Sequence, residues 1–377
     1  MRDLDKFRGC LLGGAVGDAL GYAVEFSSEE DIFDRYGPDG IQHYDLQGGQ
    51  ARISDDTQMS LFTANALLYG QTRADLRGIG AGSRGYFPYA YRCWYGTQTE
   101  RFPLSRDKYR SSWLVNFSEL FSRRAPGNTC LSALAEGGRG TLKKPIHDSK
   151  GCGGVMRVGP IGVYYVDKPH YTIEDADRIG AEAAAVTHGH ELGYLPAAGL
   201  VHIIYCLASG QMRSVSEAAR DMLATLPRLF PDSRFMCDFV EIIGRAITLA
   251  ESDIPDLEAI HELGEGWVAE ETLAIALYCA IRHQDDFARA IVASVNHNGD
   301  SDSTGAVTGN ILGALHGEQA IPAELLEHLE LRDVILELAD DLWHDCQLEE
   351  YGPSDPGWKK KYVLCRFGPE DLEKKRN

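Results

Sequence analysis

The chain has 377 residues, 44% hydrophobic and 25% charged, enough to bury a large core as one domain or as a core with an accessory segment. Its 56 acidic and 37 basic residues give a formal charge of −19, a field that opposes nucleic acid and anionic membrane, so an anionic ligand here needs cations or local amide donors. Nine scattered cysteines, never spaced Cys-x-x-Cys, argue against a disulfide framework or a structural zinc and suit a reducing cytoplasm, the expected location.

In chain order, the first apolar stretch, Cys10 to Val24, carries Asp18 and several glycines and is too short and polar for a membrane span or signal peptide. Gly9, Gly13, Gly17 and Gly21 recur every four residues, and so do Gly305, Gly309 and Gly313. Glycine inside a helix costs roughly 1 kcal/mol relative to alanine, so this pattern implies a compensating gain. Close approach of two bare helix faces is that gain, and it draws Asp18 and the Asp300 region towards one centre. Ser54-Asp55-Asp56-Thr57 precedes an apolar-periodic run (Met59, Phe62, Ala66, Leu67), which places the acids in the first turn of a helix.

Gln71 to Arg92 reads as loop. Within it, Gly80 to Gly85 matches a dinucleotide fingerprint only formally, because no apolar strand precedes it. Ser149 to Arg157 is a glycine-rich turn able to offer backbone N–H groups to a diphosphate, though not a P-loop. The chief candidate strand is Val155 to Val166, where Val, Ile and Tyr gather around Gly159 and Gly162. Helical spacing dominates the rest: Ala181 to Thr187, Leu195 to Ser209, Val215 to Leu226, Phe235 to Ala250, Val268 to Val295 and Glu324 to Leu342. The expected fold is all-α. His188 and His190 close an Ala-rich helix, where a histidine caps carbonyls or lines a pocket. Gly352 to Asn377 reads as a peripheral tail, with Lys359 to Lys361 solvated. No serine sits in a Gly-x-Ser-x-Gly elbow, which leaves an acyl-enzyme hydrolase little support.

Asn298-Gly299-Asp300-Ser301-Asp302-Ser303 stands at the mouth of the second glycine-faced helix. Asp-x-Asp-Ser suits a hard cation, but an EF-hand starting at Asp300 would need Glu where Ile311 stands. Ser54, Asp55 and Asp56 supply the missing oxygen ligands. Together the two clusters offer four carboxylates and two hydroxyls, enough for two cations about 3.5–4 Å apart. Read alone, Ser54-Asp55-Asp56 is also an N-cap serine followed by acids favourable to the helix dipole.

Taken in order, the motifs resemble the ADP-ribosylglycohydrolase family: Gly13 to Gly21 with Glu25, Ser54 to Thr57, Gly153 to Arg157, Thr187-His188, and Asn298 to Ser303 with Gly305, Gly309 and Gly313. The resemblance implies a compact orthogonal multi-helix bundle with a central binuclear metal site, a catalytic domain over 1–345 and a peripheral segment over 346–377. It implies Mg2+ or Mn2+ on Ser54, Asp55, Asp56, Asp300, Asp302 and Ser303; ADP-ribose contacts from Ser149, Gly151, Gly153, Gly154 and His188; and Glu25, Asp56 and Asp302 as the catalytic set. The implied reaction releases ADP-ribose from a modified acceptor, an arginine on a protein being favoured, as in a target modified by a cognate ADP-ribosyltransferase. A noncatalytic ADP-ribose binder or a toxin-occluding immunity protein is the alternative. Ser54 and Ser303 stand where threonine is common, and Cys152 where asparagine is frequent.

Overall fold

A computed structural model describes residues 2–376 apart from 79–82, 106–107, 347, 350–351 and 354. Its helices in chain order are α1 (Leu4–Gly21), α2 (Glu29–Tyr36), α3 (Asp55–Arg77), α4 (Phe87–Thr99), α5 (Asn128–Ala135), α6 (Gly159–Tyr164), α7 (Ile173–Ala185), α8 (Glu191–Ser209) and α9 (Val215–Leu229). They continue as α10 (Met236–Ala250), α11 (Asp256–Leu263), α12 (Ala269–Arg282), α13 (Phe287–Val295), α14 (Ser301–His316), α15 (Ala323–Glu327), α16 (Arg332–His344), α17 (Pro356–Trp358) and α18 (Pro369–Arg376). The only paired strands among the described residues are two residues long, Leu348–Glu349 and Gly352–Pro353.

The expected all-α fold is borne out, and its axis is the glycine-faced pair. A Cβ on Gly13 would lie 2.3 Å from the Gly309 carbonyl oxygen, one on Gly17 2.0 Å from that of Gly305, and one on Gly9 2.4 Å from that of Gly313. Rising numbers on α1 meet falling numbers on α14, so the two helices run antiparallel with their backbones in contact. Both are buried on nearly every side, as a helix without a polar face must be. The consequence for function is positional: the C-terminus of α1 ends against the N-terminus of α14, where Gly21 abuts the Ser301 carbonyl.

Several sequence expectations need correction. Val155 to Val166 holds no described strand; Gly159–Tyr164 is helix α6, entered through Pro160 in its first turn. Every residue of that run is buried, and a short apolar run buried all round cannot be assigned by periodicity. The expected loop from Gln71 is helical to Arg77, closing on Gly78 in the left-handed region, and α4 begins already at Phe87. Gly80 to Gly82 of the Gly80 to Gly85 motif lie outside the described residues. The pattern from Val268 to Val295 is two helices, because Asp286 accepts from Arg289 N–H and starts α13 afresh. Glu324 to Leu342 is likewise broken, at Leu331, whose φ is +56°.

Lys361 is not solvated: it is 1% exposed and paired with Glu337 (2.6 Å) and Asp341 of α16. Beside it Tyr362 O–H donates to Asp341 (2.6 Å) and Trp358 Nε1–H to Thr72 of α3 (2.9 Å), which ties residues 358–362 to the body.

Among the described residues one helix, Glu191–Ser209, is long and apolar enough to cross a membrane, and it is largely buried within the fold. At its centre His202 donates through Nδ1 to Asp177 of α7 (2.9 Å) and through Nε2 to Asp221 of α9 (3.0 Å). Burial, the largest single influence, lowers the imidazole pKa, but the hydrogen bonds to Asp177 and Cys206 and the charges of both together outweigh it and raise it to about 10. His202 is therefore an imidazolium strut joining three helices. Its folded value exceeds the ordinary one near 6.5, so its stabilisation is complete below that pH and is lost as pH rises towards 10. His202→Ala strands a buried carboxylate and is expected to cost about 3–5 kcal/mol. Denaturant titration at pH 6 and pH 9.5 should show the gap between wild type and variant narrowing at the higher pH.

Candidate active site

Three helix ends converge. Asp18, near the C-terminus of α1 and wholly buried, accepts hydrogen bonds from Ser54 N–H (3.0 and 3.1 Å) and Thr57 N–H (3.0 Å). It therefore caps α3 from outside, while Ser54 caps it from within by accepting from Asp56 N–H (3.2 Å). The approach to α3 is held by Glu330, which accepts from Ile53 N–H (3.2 Å), Arg52 (2.6 Å) and Arg124 (2.9 Å). At the third end, Asp300 caps α14, and its N–H donates to Glu265 O (2.8 Å). Only glycine fits before it: Gly299 has φ +129°, and a Cβ there would sit 1.9 Å from the Glu265 oxygen.

These ends bring Asp18, Glu25, Asp55, Asp56, Asp300 and Asp302 into one buried cluster. Carboxylate oxygens of Glu25, Asp300 and Asp302 lie within 4.8 Å of one another. Burial first, and the charge of Asp302 second, push Asp55, Asp56 and Asp300 well above the usual carboxylate range. The same two causes raise Asp18 to about 7 and Glu25 to about 11. Glu25 Oε2 and Asp56 Oδ2 are buried with no hydrogen-bond partner. No described Lys or Arg forms an ion pair with any of the six. Such a set of oxygen donors fits a hard divalent cation, whose charge removes the repulsion and occupies the orphaned lone pairs.

The cluster floors a cavity of about 670 Å³ whose walls include Gly151, Cys152, Gly153, His188, Phe26 and Trp267. Asp55, Asp56, Asp300, Asp302, Ser303 and Glu25 all face it; Ser54, Ser149 and Gly154 do not. Ser54 is buried as a cap. Ser149 Oγ accepts from Gly151 N–H (3.3 Å), and Gly154 packs where a Cβ would lie 2.7 Å from Gly193 O. Gly153 has no room for a side chain either: a Cβ would come within 2.9 Å of His188 Cε1.

His188 is buried, and desolvation, then the charge of Arg157, lower its pKa to about 3, so it is neutral. Thr187 Oγ1 accepts from Arg157 (2.8 Å) and lies 2.8 Å from His188 Nδ1. Nδ1 is thus engaged by the Thr187 hydroxyl, and Nε2 is the ring nitrogen of His188 that lies beside Gly151 and Gly153. Arg157, fully buried, also donates to Ala183 O (2.8 Å) at the end of α7 and lies 4.3 Å from the Tyr91 ring centroid. Sequence reasoning missed the Phe26 and Trp267 pair at the rim, 76% and 40% exposed, with rings 6.2 Å apart and 20° from parallel. Phe26 directly after Glu25 was the available signal; Trp267 reaches the glycine loop only through the fold, where its carbonyl accepts from Cys152 N–H (3.2 Å).

The family model for ADP-ribosylglycohydrolase matches residues 1–352. The chain belongs to the ADP-ribosylglycohydrolase family. Its similarity to the ADP-ribosyl-[dinitrogen reductase] glycohydrolase of Rhodospirillum rubrum is 26% identity, covering 87% of this chain and 91% of the relative. To the ADP-ribosylhydrolase ARH3 of Bos taurus it is 24%, covering 85% and 87%. Among solved structures, an ADP-ribosylglycohydrolase-related protein complex superposes with a TM-score of 0.56 at 25% identity, covering 90% of this chain and 98% of that one. The resemblance read from the ordered motifs is thus borne out, and with it the enzyme class, hydrolases acting on glycosyl bonds.

Proposed function

We propose that this ADP-ribosylglycohydrolase cleaves the bond between the distal ribose of ADP-ribose and an acceptor, most favourably the guanidinium of a modified arginine on a protein. The observation that carries the reading is the pair of orphaned oxygens, Glu25 Oε2 and Asp56 Oδ2, in a carboxylate cluster flooring a ligand-sized cavity. Asp55, Asp56, Asp300 and Asp302, with the hydroxyls of Ser54 and Ser303, would hold two Mg2+ or Mn2+ ions. When bound, these supply Lewis acidity to the ribose hydroxyls and to the attacking water.

The chain's own groups do the rest. His188 Nε2–H and the amide of Gly153 donate to the diphosphate, with Ser149, Gly151 and Gly154 shaping the loop around it. Glu25 and Asp302 orient the water and take its proton as the anomeric carbon–nitrogen bond breaks, and the proton passes to the departing guanidine. Phe26 and Trp267 offer a flat aromatic rim, a surface on which a planar guanidinium stacks, next to the Glu25 carboxylate.

Release of free ADP-ribose from arginine-linked and serine-linked substrates, measured in Mg2+, in Mn2+ and in chelator, tests this. Metal-dependent release, faster from the arginine linkage, is the expected result. No release from either linkage, with ADP-ribose still bound, would make the protein a noncatalytic binder; faster release from serine would overturn the acceptor assignment alone.

A further inference from the structure

A second cavity, again about 670 Å³, opens at the other end of α3 and has the opposite character. Its lining brings together Arg73, Arg77, Arg92, Lys108 and Arg110, and among the described residues it contains no Asp or Glu. Asp56 and Arg73 are seventeen residues apart on one helix, about 26 Å at 1.5 Å per residue, so this is not an extension of the acidic site.

Arg73 and Arg77 have a structural explanation, since cations are favoured at a helix C-terminus. Lys108 is held by an ion pair with Glu100, which also accepts from Tyr109 O–H (2.6 Å), whereas Arg92 in α4 has neither explanation. In a protein of net charge −19, Arg77 and Arg92 are both exposed, form no ion pair with a described residue and face one concavity from two helices.

The remaining wall carries four tyrosines, Tyr69, Tyr86, Tyr89 and Tyr109, beside Gly85, Cys93 and Ser111. Tyr69 and Tyr86 meet edge to face at 5.6 Å, Tyr86 and Tyr89 lie 6.2 Å apart, and Tyr89 is 56% exposed. Cations beside open aromatic faces suit a ligand with both a phosphate and a flat ring. The size of the cavity suits one such unit, and the acidic surface as a whole disfavours an extended polyanion.

We propose that this cavity binds a phosphorylated aromatic ligand of mononucleotide size, its ring against Tyr86 and Tyr89 and its phosphate held by Arg77 and Arg92.

Equilibrium dialysis of labelled AMP against the full chain, in chelator, counts ligand bound per chain. The Arg77→Ala/Arg92→Ala variant should bind one AMP fewer than wild type while hydrolysing its ADP-ribosyl substrate at the same rate. Both arginines are exposed, and unchanged thermal melting would show that the fold is kept. Tyr89→Ala should weaken the same class of sites about tenfold, the scale of one lost stacking contact. Adenosine and inorganic phosphate, each lacking half of the ligand, should compete for it at least about tenfold less well than AMP. Equal AMP binding by wild type and the double variant would overturn the proposal. So would phosphate competing as well as AMP, or a site filled by a single-stranded oligonucleotide but not by AMP.

Discussion

Asp302→Asn is expected to lose on the order of 10³-fold in hydrolysis and yet to melt at a higher temperature than wild type when both are held in chelator. The loss follows from the cluster's assigned task. Metal-held charge stabilisation contributes several kcal/mol in such sites, and each 1.36 kcal/mol is a factor of ten in rate. The gain follows from repulsion, since the Asp302 charge raises the pKa of Asp18, Glu25, Asp55, Asp56 and Asp300. Neutralising it removes a penalty of about 1–2 kcal/mol in the metal-free protein, at 1.36 kcal/mol per pKa unit.

The sign of the pH dependence is fixed by the same shifts. A carboxyl whose folded pKa is raised holds a proton that the unfolded chain releases, so stability falls as pH rises between the two values. For Asp18 that window runs from the ordinary 3.8 to about 7. Calorimetry of wild type in chelator from pH 5 to pH 8 should therefore show falling stability, with a shallower fall in Asp302→Asn and in wild type with Mn2+. A variant less stable than wild type in chelator would mean that the acids do not repel as described.

Gly309→Ala is expected to cost about 3 kcal/mol or more, although alanine is the better helix former. Its Cβ would lie 1.9 Å from the Gly13 carbonyl oxygen, on a backbone that cannot yield without parting α1 from α14. Parting them also separates Glu25 from Asp300 and Asp302, so activity should fall along with stability. Gly244 in α10 is the matched control: a Cβ there meets nothing within 4 Å, and Gly244→Ala should stabilise by up to about 1 kcal/mol. Urea unfolding of the two variants beside wild type reads both effects.

The same contrast explains what was legible in the sequence. The four-residue glycine period on two distant segments is readable because it is costly unless two backbones touch, and that contact carries Asp18 towards the Asp300 region. The acids are readable because both pairs mark a helix start, Asp55 and Asp56 in the first turn of α3, Asp300 and Asp302 at the cap and first turn of α14. The external cap that Asp18 places on α3 was beyond reach, since it depends on three hydrogen bonds to a segment 36 or more residues away. Lys361 misleads for a similar reason: its partners Glu337 and Asp341 lie on another helix, and in sequence it is one of three adjacent lysines. Val155 to Val166 misleads through composition, because β-branched and aromatic residues also fill a short helix buried on all sides.

The most direct test of the two-cation site is the stoichiometry and magnetic coupling of bound Mn2+. Equilibrium dialysis with electron paramagnetic resonance should find two Mn2+ per chain, with a spectrum showing that they interact at about 3.5–4 Å, and should find both lost in Asp302→Asn. One isolated Mn2+ per chain, or none, would contradict the assignment of these buried carboxylates to a binuclear centre.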